Sequence, residues 1–250
     1  MKKKISKKEL IICQQMDKYE STCYRNKTSI IYQCFQSLAQ DLEKEYLKSD
    51  NLLDKILNYV DEKFKPQFSK ALTKLQTISI NEFINYFNKN FNRNFNNFNN
   101  FEKSIKNKFK VFNKISVKSN LNMLKNFISS TFKSEKENPV KKIVSELKGN
   151  FGKVKSKIIT KIETSRIFSE VNYTSAKENN LKKKSWIHLG GGKTNRESHL
   201  AIHGVTISID EYFEVGAEGK TPSVKMRFPK DPECKEIGHT IHCHCQILYS

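Results

Sequence analysis

No glycine occurs before Gly149, and the first 148 residues hold only two prolines, Pro66 and Pro139. Glycine and proline are the residues that most readily turn or interrupt a chain. A stretch this long without them has few turn formers, so it can hardly be built from hairpins, and it favours long helices. The remaining residues carry all nine glycines together with Pro222, Pro229 and Pro232. That is the composition of a turn-rich, mixed α+β region. The sequence therefore reads as an α+β protein, with a long, mainly helical N-terminal region (1–150) and a small C-terminal α+β domain (151–250).

Periodicity refines this layout. From about Leu10 to Leu47, Ile30, Ile31, Cys34, Phe35, Leu38 and Leu42 fall on one helical face. Residues 1–8 read as a frayed basic start, and Ser49-Asp50-Asn51 as a break. A second helix starts at Leu52, and Pro66 should bend or restart it. The stretch from Phe83 to Phe112 resembles low complexity because of its Asn and Phe content. Yet Phe83, Phe87, Phe91, Phe95, Phe98, Phe101, Ile105, Phe109 and Phe112 recur about every 3.6 residues, the helical period. One continuous helix is expected there. Its aromatic stripe could stack on bases, but nine large apolar side chains on one face favour burial. Leu121 to Phe132 and Val154 to Val171 continue the helical pattern, with a hinge expected at Gly149–Gly152. After Asn180 the period changes. Ser185–Leu189, Val205–Ile209 and Cys243–Leu248 read as strands.

Charge is placed unevenly. Residues 1–148 hold 29 basic and 15 acidic residues, and residues 101–161 hold 16 and 4. Such a field attracts nucleic acid or an acidic protein surface. Lys103, Lys106, Lys108, Lys110 and Lys114 are the candidate nucleic-acid contacts. A bland origin, lysine codons of an AT-rich genome, accounts for the same composition. No apolar run approaches the roughly 18 residues of a membrane span. Leu10-Ile11-Ile12-Cys13 is too short for a secretory core, so the six cysteines are expected to be reduced thiols or metal ligands in a cytoplasm.

Chemistry concentrates near the C-terminal end. Thr194 and Glu197 fit a capping box, with Gly204 as the helix stop. The helix between them would set His199 and His203 four apart on one face. Alternation along a strand would turn Cys243 and Cys245 to one side and His244 to the other. Two imidazoles and two thiolates (His199, His203, Cys243, Cys245) can build a tetrahedral zinc site; Cys234, His239 and His242 are further candidates. The competing reading has these thiols packing as small apolar residues. The His-x-x-x-His spacing lacks the glutamate of a metalloprotease. Gly190-Gly191-Gly192-Lys193-Thr194 lacks the glycine that a phosphate loop needs at position 187, which is Ile. No nucleophile elbow or acid/base pair stands out, so no catalytic residue is assigned.

Several of these elements together resemble the phage Mu F-like minor head proteins, the head morphogenesis family. The resemblance runs from about Ile158 to Leu248. It rests on Glu163 and Arg166 in Ile162-Glu163-Thr164-Ser165-Arg166, on Trp186, on Arg196-Glu197-Ser198-His199, and on His203-Gly204. It continues with Phe213, Asp231-Pro232 and the closing Cys243-His244-Cys245. The family usually ends Asn-Cys-Arg-Cys; here His242 and His244 stand in place of Asn and Arg. The resemblance implies a minor protein of the capsid interior, associated with the portal protein and with capsid or scaffold proteins during procapsid assembly. It also implies a location in the cytoplasm during assembly and then in the virion. The basic helices would then face packaged DNA without reading its sequence. A metal-dependent hydrolase or toxin-like effector built on the His/Cys cluster is the alternative.

Overall fold

The computed structural model describes residues 2–46, 52–93, 98–190 and 195–250, without the side chains of Phe98, Asn99 and Ile237. The expected break at 49–51, Phe95, the glycine triplet's last two members and Thr194 lie outside the described residues. Six main helices precede the strands: α1 (Lys7–Glu45), α2 (Leu52–Tyr59), α3 (Lys65–Phe91), α4 (Phe98–Ser134), α5 (Pro139–Lys148) and α6 (Asn150–Glu178). Then follow β1 (Lys183–Ile187), α7 (Glu197–Ala201), β2 (Thr206–Ser208), β3 (Phe213–Val215), β4 (Val224–Met226), α8 (Ile237–Thr240) and β5 (Gln246–Tyr249). The α+β layout expected from composition is present. No helix among the described residues is long and apolar enough to cross a membrane.

The chain forms two compact units, and they are not the consecutive stretches 1–150 and 151–250. The first unit takes Met1–Cys23, Ser79–Ile105 and Ile162–Ser250; the second takes Tyr24–Ile78 and Lys106–Lys161. Helices α1, α3, α4 and α6 each contribute residues to both. A linear boundary therefore fails, because a helix 27 to 39 residues long outlasts one core.

The second unit is all helical. Its core gathers Ile31, Phe35, Leu38, Leu42, Phe64, Phe68, Leu72, Leu124, Ile128, Ile143 and Leu147, all nearly fully buried. Phe64 and Phe68 stack at 5.6 Å and Phe35 packs against both. Pro66 does not kink this run outright. A π-helical turn at Val60–Phe64 precedes it, with the Lys65 N–H bonded to the Val60 carbonyl. Proline has no N–H for the usual i→i−4 bond, and the wider turn absorbs that mismatch. Gly149 and Gly152 make a tight corner rather than a free hinge. A Cβ on Gly152 would fall 1.9 Å from the Leu147 carbonyl oxygen, so only glycine lets α6 start so close to the end of α5.

The first unit joins helical segments to a three-stranded antiparallel sheet, β2-β1-β5, and a β3-β4 hairpin. Trp186 faces Ile247 across the β1–β5 pair. The basic start is not frayed. Lys2 bridges to Val205, and the Lys3 N–H donates to the Gly204 carbonyl at 2.8 Å. Ser6 and Glu9 close a capping box: the Ser6 N–H reaches Glu9 Oε2 at 2.9 Å, and the Glu9 N–H reaches Ser6 Oγ at 3.2 Å. Lys3, with these Ser6 bonds, holds the Glu9 carboxyl down to about 2.

The aromatic stripe is split. Helix α3 ends at Phe91, Asn92 takes a left-handed φ of 48°, and α4 begins at Phe98. Asparagine tolerates that conformation better than other non-glycine residues. Phe83 and Phe87 pack on Phe168 at 5.0 and 5.1 Å within the first unit. Phe101, Ile105 and Phe109 are likewise buried, so these members of the stripe serve cores. Just beyond the helix end, Arg93 is buried. Its Nη1 donates to the Asn172 carbonyl (2.7 Å), Asn172 Oδ1 (2.9 Å) and Ser175 Oγ (2.6 Å). Burial pulls its pKa down to about 10.

Candidate functional site

The site grows out of β1. Trp186 is fully buried and meets Phe213 edge-on at 5.2 Å. His199 stands edge-on to the same indole at 5.4 Å. It sits on α7, a helix of five residues that begins at Glu197. The expected capping box rests on Thr194, which lies outside the described residues. Arg196 occupies the N-cap without a side-chain cap, and the Ser198 N–H is taken by the Glu218 carboxylate at 2.9 Å. Arg196 instead donates through Nη2 to the Ile241 carbonyl at 2.5 Å, fastening α7 to the segment before the cysteines.

Cys243 and Cys245 do not lie on a strand; β5 starts one residue later, at Gln246. The alternation survives nonetheless. Both thiols are buried, while His244 turns to the Asp17 carboxylate at 3.2 Å. His199 Nδ1 lies 3.5 Å from each sulfur. One ligand atom from each of His199, Cys243 and Cys245 falls within 4.8 Å of the others. The hydrogen bond between the two thiols holds Cys243 well below the usual thiol range, and the same bond together with burial holds Cys245 well above it.

His203 is not part of this cluster. Helix α7 ends at Ala201, so the four-residue spacing no longer puts both imidazoles on one helical face. His203 Nδ1 accepts the His188 backbone N–H at 3.0 Å, which fixes the end of β1. Gly204 beside it has a φ of +77°, and a Cβ there would meet the Lys3 carbonyl oxygen at 2.5 Å. A side chain the sequence did not single out comes closer. His188 Nδ1 lies 3.4 Å from the Cys245 sulfur. It lines a small cavity of about 20 Å³ with Asn195, Arg196, His199 and the Cys243–Cys245 run. Burial lowers the His188 pKa.

His239 stands behind His199. The rings stack, and His199 Nε2 lies 3.4 Å from His239 Nδ1. His239 Nε2 lies 2.9 Å from the Pro222 carbonyl oxygen. A carbonyl only accepts, so His239 carries its proton on Nε2 and offers a bare Nδ1. His199 then donates its Nε2–H to that nitrogen, which leaves its own Nδ1 lone pair facing the two sulfurs.

The other residues of the expected motif hold the fold. Asp231 Oδ2 accepts Arg227 N–H at 2.9 Å and Nε at 3.0 Å, and its Oδ1 accepts Arg227 Nη2 at 2.6 Å. Arg227 also reaches Glu170 at 3.3 Å. Pro232 follows within this buried turn. Glu163 is buried beside Arg166 at 3.6 Å. Sequence reading missed Glu20, which accepts from Lys230 Nζ (2.7 Å), Gln246 Nε2 (3.0 Å) and Ser165 Oγ. These partners lie 145 to 226 residues away, so no local signal marks them.

In the second unit, Lys110 and Lys114 line an open groove of about 950 Å³ with Lys65, Lys118 and Lys125. Its one acid, Asp61, pairs with Lys125. Lys106 and Lys108 do not line it, and Lys103 belongs to the first unit.

Neither a protein-family profile nor a solved structure matches the chain. One similar protein is Uncharacterized protein YqbB of Bacillus subtilis (strain 168), 37% identical over 68 residues. The match covers 27% of this chain and about a fifth of YqbB, 21%.

Proposed function

We propose that this chain is a minor capsid protein of a phage, prophage or phage-derived particle, acting in procapsid assembly near the portal. The observation that carries the reading is the convergence of the head-morphogenesis motif. Trp186, His199, Phe213, Cys243 and Cys245 pack together, with Arg196 fastening α7 beside them. Motif members that share one core suit a folded module through which the chain docks. The lysine groove supplies the second part. Five lysines around one paired acid suit a phosphodiester backbone, or an acidic portal or scaffold surface, without base readout.

The assembly part is tested on particles purified from cells expressing the chain with its neighbouring capsid and portal genes. Mass spectrometry after nuclease treatment should find the chain at a fixed copy number, and electron cryomicroscopy should place it inside the shell at the portal vertex. Particles that assemble without retaining it would overturn the reading. The DNA part predicts binding that weakens steeply with salt. Lys110→Glu/Lys114→Glu/Lys118→Glu should abolish it; binding absent at low ionic strength removes that part alone.

A further inference from the structure

We infer that the first unit holds a zinc ion, ligated by His199 Nδ1, Cys243 Sγ and Cys245 Sγ, with the His188 imidazole, which reaches Cys245 but stands outside that group of three, swinging in as the fourth ligand. Zinc bonds of about 2.0–2.1 Å to nitrogen and 2.3 Å to sulfur, set at tetrahedral angles, place N and S atoms about 3.5–3.6 Å apart. The separations of His199 from both sulfurs are 3.5 Å, and His188 lies 3.4 Å from Cys245. Two thiols and an imidazole thus already stand at the edges of a zinc tetrahedron.

The surroundings suit a ligand as well as the distances do. A metal-bound histidine characteristically donates its remote N–H to a fixed acceptor, which sets tautomer and orientation. Here the Pro222 carbonyl fixes His239, and His239 fixes His199 with its Nδ1 lone pair toward the sulfurs. A buried, apolar thiol pair would need no such relay. Two soft sulfurs with imidazole favour zinc over magnesium or calcium, which prefer oxygen. The ion would join three separate pieces of chain: the end of β1, helix α7 and the run leading into β5. It is a structural site, and it stands apart from the capsid reading.

The full chain, purified without added metal, should carry one zinc per molecule by elemental analysis. Replacement with Co2+ should give the intense visible bands of a tetrahedral site and a thiolate-to-metal band in the near ultraviolet. Zinc absent from the folded chain, with no thiolate band after Co2+ addition, would overturn the site. Cys243→Ser should lose the thiolate intensity. Should that variant fail to fold, His239→Ala touches no metal atom and should weaken zinc about 10–100-fold while the thiolate band remains; unchanged affinity would remove the relay. His203→Ala should leave affinity unchanged. His188→Ala should shift the visible bands and weaken binding; an unchanged spectrum would replace His188 with water as the fourth ligand.

Discussion

The two units solve the problem of burial differently. The second carries 24 basic and 10 acidic residues, a net of +14, and its main core is wholly apolar. The first carries 21 and 16, a net of only +5. Yet it buries Glu20, Arg93, Glu163, Glu170, Lys184, Arg227, Lys230 and Asp231, whereas Lys27 is the one buried charged residue of the second among those described. One unit is specified by hydrophobic period and keeps nearly all its charge outside its core. The other is specified by particular polar pairs and spends its charge within itself.

The sharpest way to break that contrast is Glu20→Ala. It leaves the Lys230 ammonium buried and unpaired, at a cost of about 3–5 kcal/mol, read as a lowered urea midpoint. Glu20→Met with Lys230→Met removes both charges and should recover most of that loss. If the single variant cost no more than a surface pair, the polar specification of this unit would be wrong.

Gly204→Ala comes next. A side chain at positive φ, pressed on the Lys3 carbonyl, should cost about 2 kcal/mol and speed amide exchange at Lys3.

Lys184 offers a test in the stabilising direction. Its amine is fully buried between the Tyr173 and Phe213 rings, at 5.5 and 5.4 Å, and has no hydrogen-bond partner. Burial lowers its pKa from 10.5 to about 8. The unfolded chain therefore holds the proton more tightly between those values, and stability should rise as pH climbs from about 8 toward 10.5. Below 8 the cost is fully present. Lys184→Met should accordingly gain about 1–2 kcal/mol at pH 7, after loss of the ring contacts, and should flatten the pH profile above 8.

Glu9→Gln weakens a capping box at a partly exposed position, so about 0.5–1 kcal/mol is expected. Its folded pKa lies below its unfolded value, so its contribution is present above about 4.5 and fades as pH falls toward 2. Acid titration of wild type against variant would show this difference. Smallest of all is Lys148→Ala, which removes an exposed pair with Glu43 in the second unit. A change under about 1 kcal/mol is expected by thermal melting.

The same contrast explains what could be read from sequence. The helices of the second unit announce themselves, because Ile31, Phe35, Leu38 and Leu42 repeat at helical spacing. Three strands were found near their observed places, since Trp186 and Ile207 sit in runs of changed period. Strands β3 and β4 escaped because no longer apolar alternation flanks them, as Val205 and Ile209 flank β2. The break after Phe91 escaped because the aromatic spacing runs on through it, and Arg93 just beyond it bonds Asn172 and Ser175 some 80 residues away. In the site, His199 and the cysteine pair were legible as ligand types at plausible spacing. His203 was misplaced because that spacing assumed one more helical turn. His188 and His239 gain their meaning from neighbours reached only through the fold.

The threading of the first unit also sets an order of events during synthesis. Every segment of the second unit has been synthesised once Lys161 is added. The first unit must wait for β5, which pairs with the central strand of its sheet through Tyr249. At about 5–20 residues per second, the earliest residues of α1 spend many seconds without their final neighbours. Glu20 in particular stays unpaired with Lys230 and Gln246 until those residues emerge. A nascent chain stalled before Cys243 would hold every segment of the helical unit beside an open one.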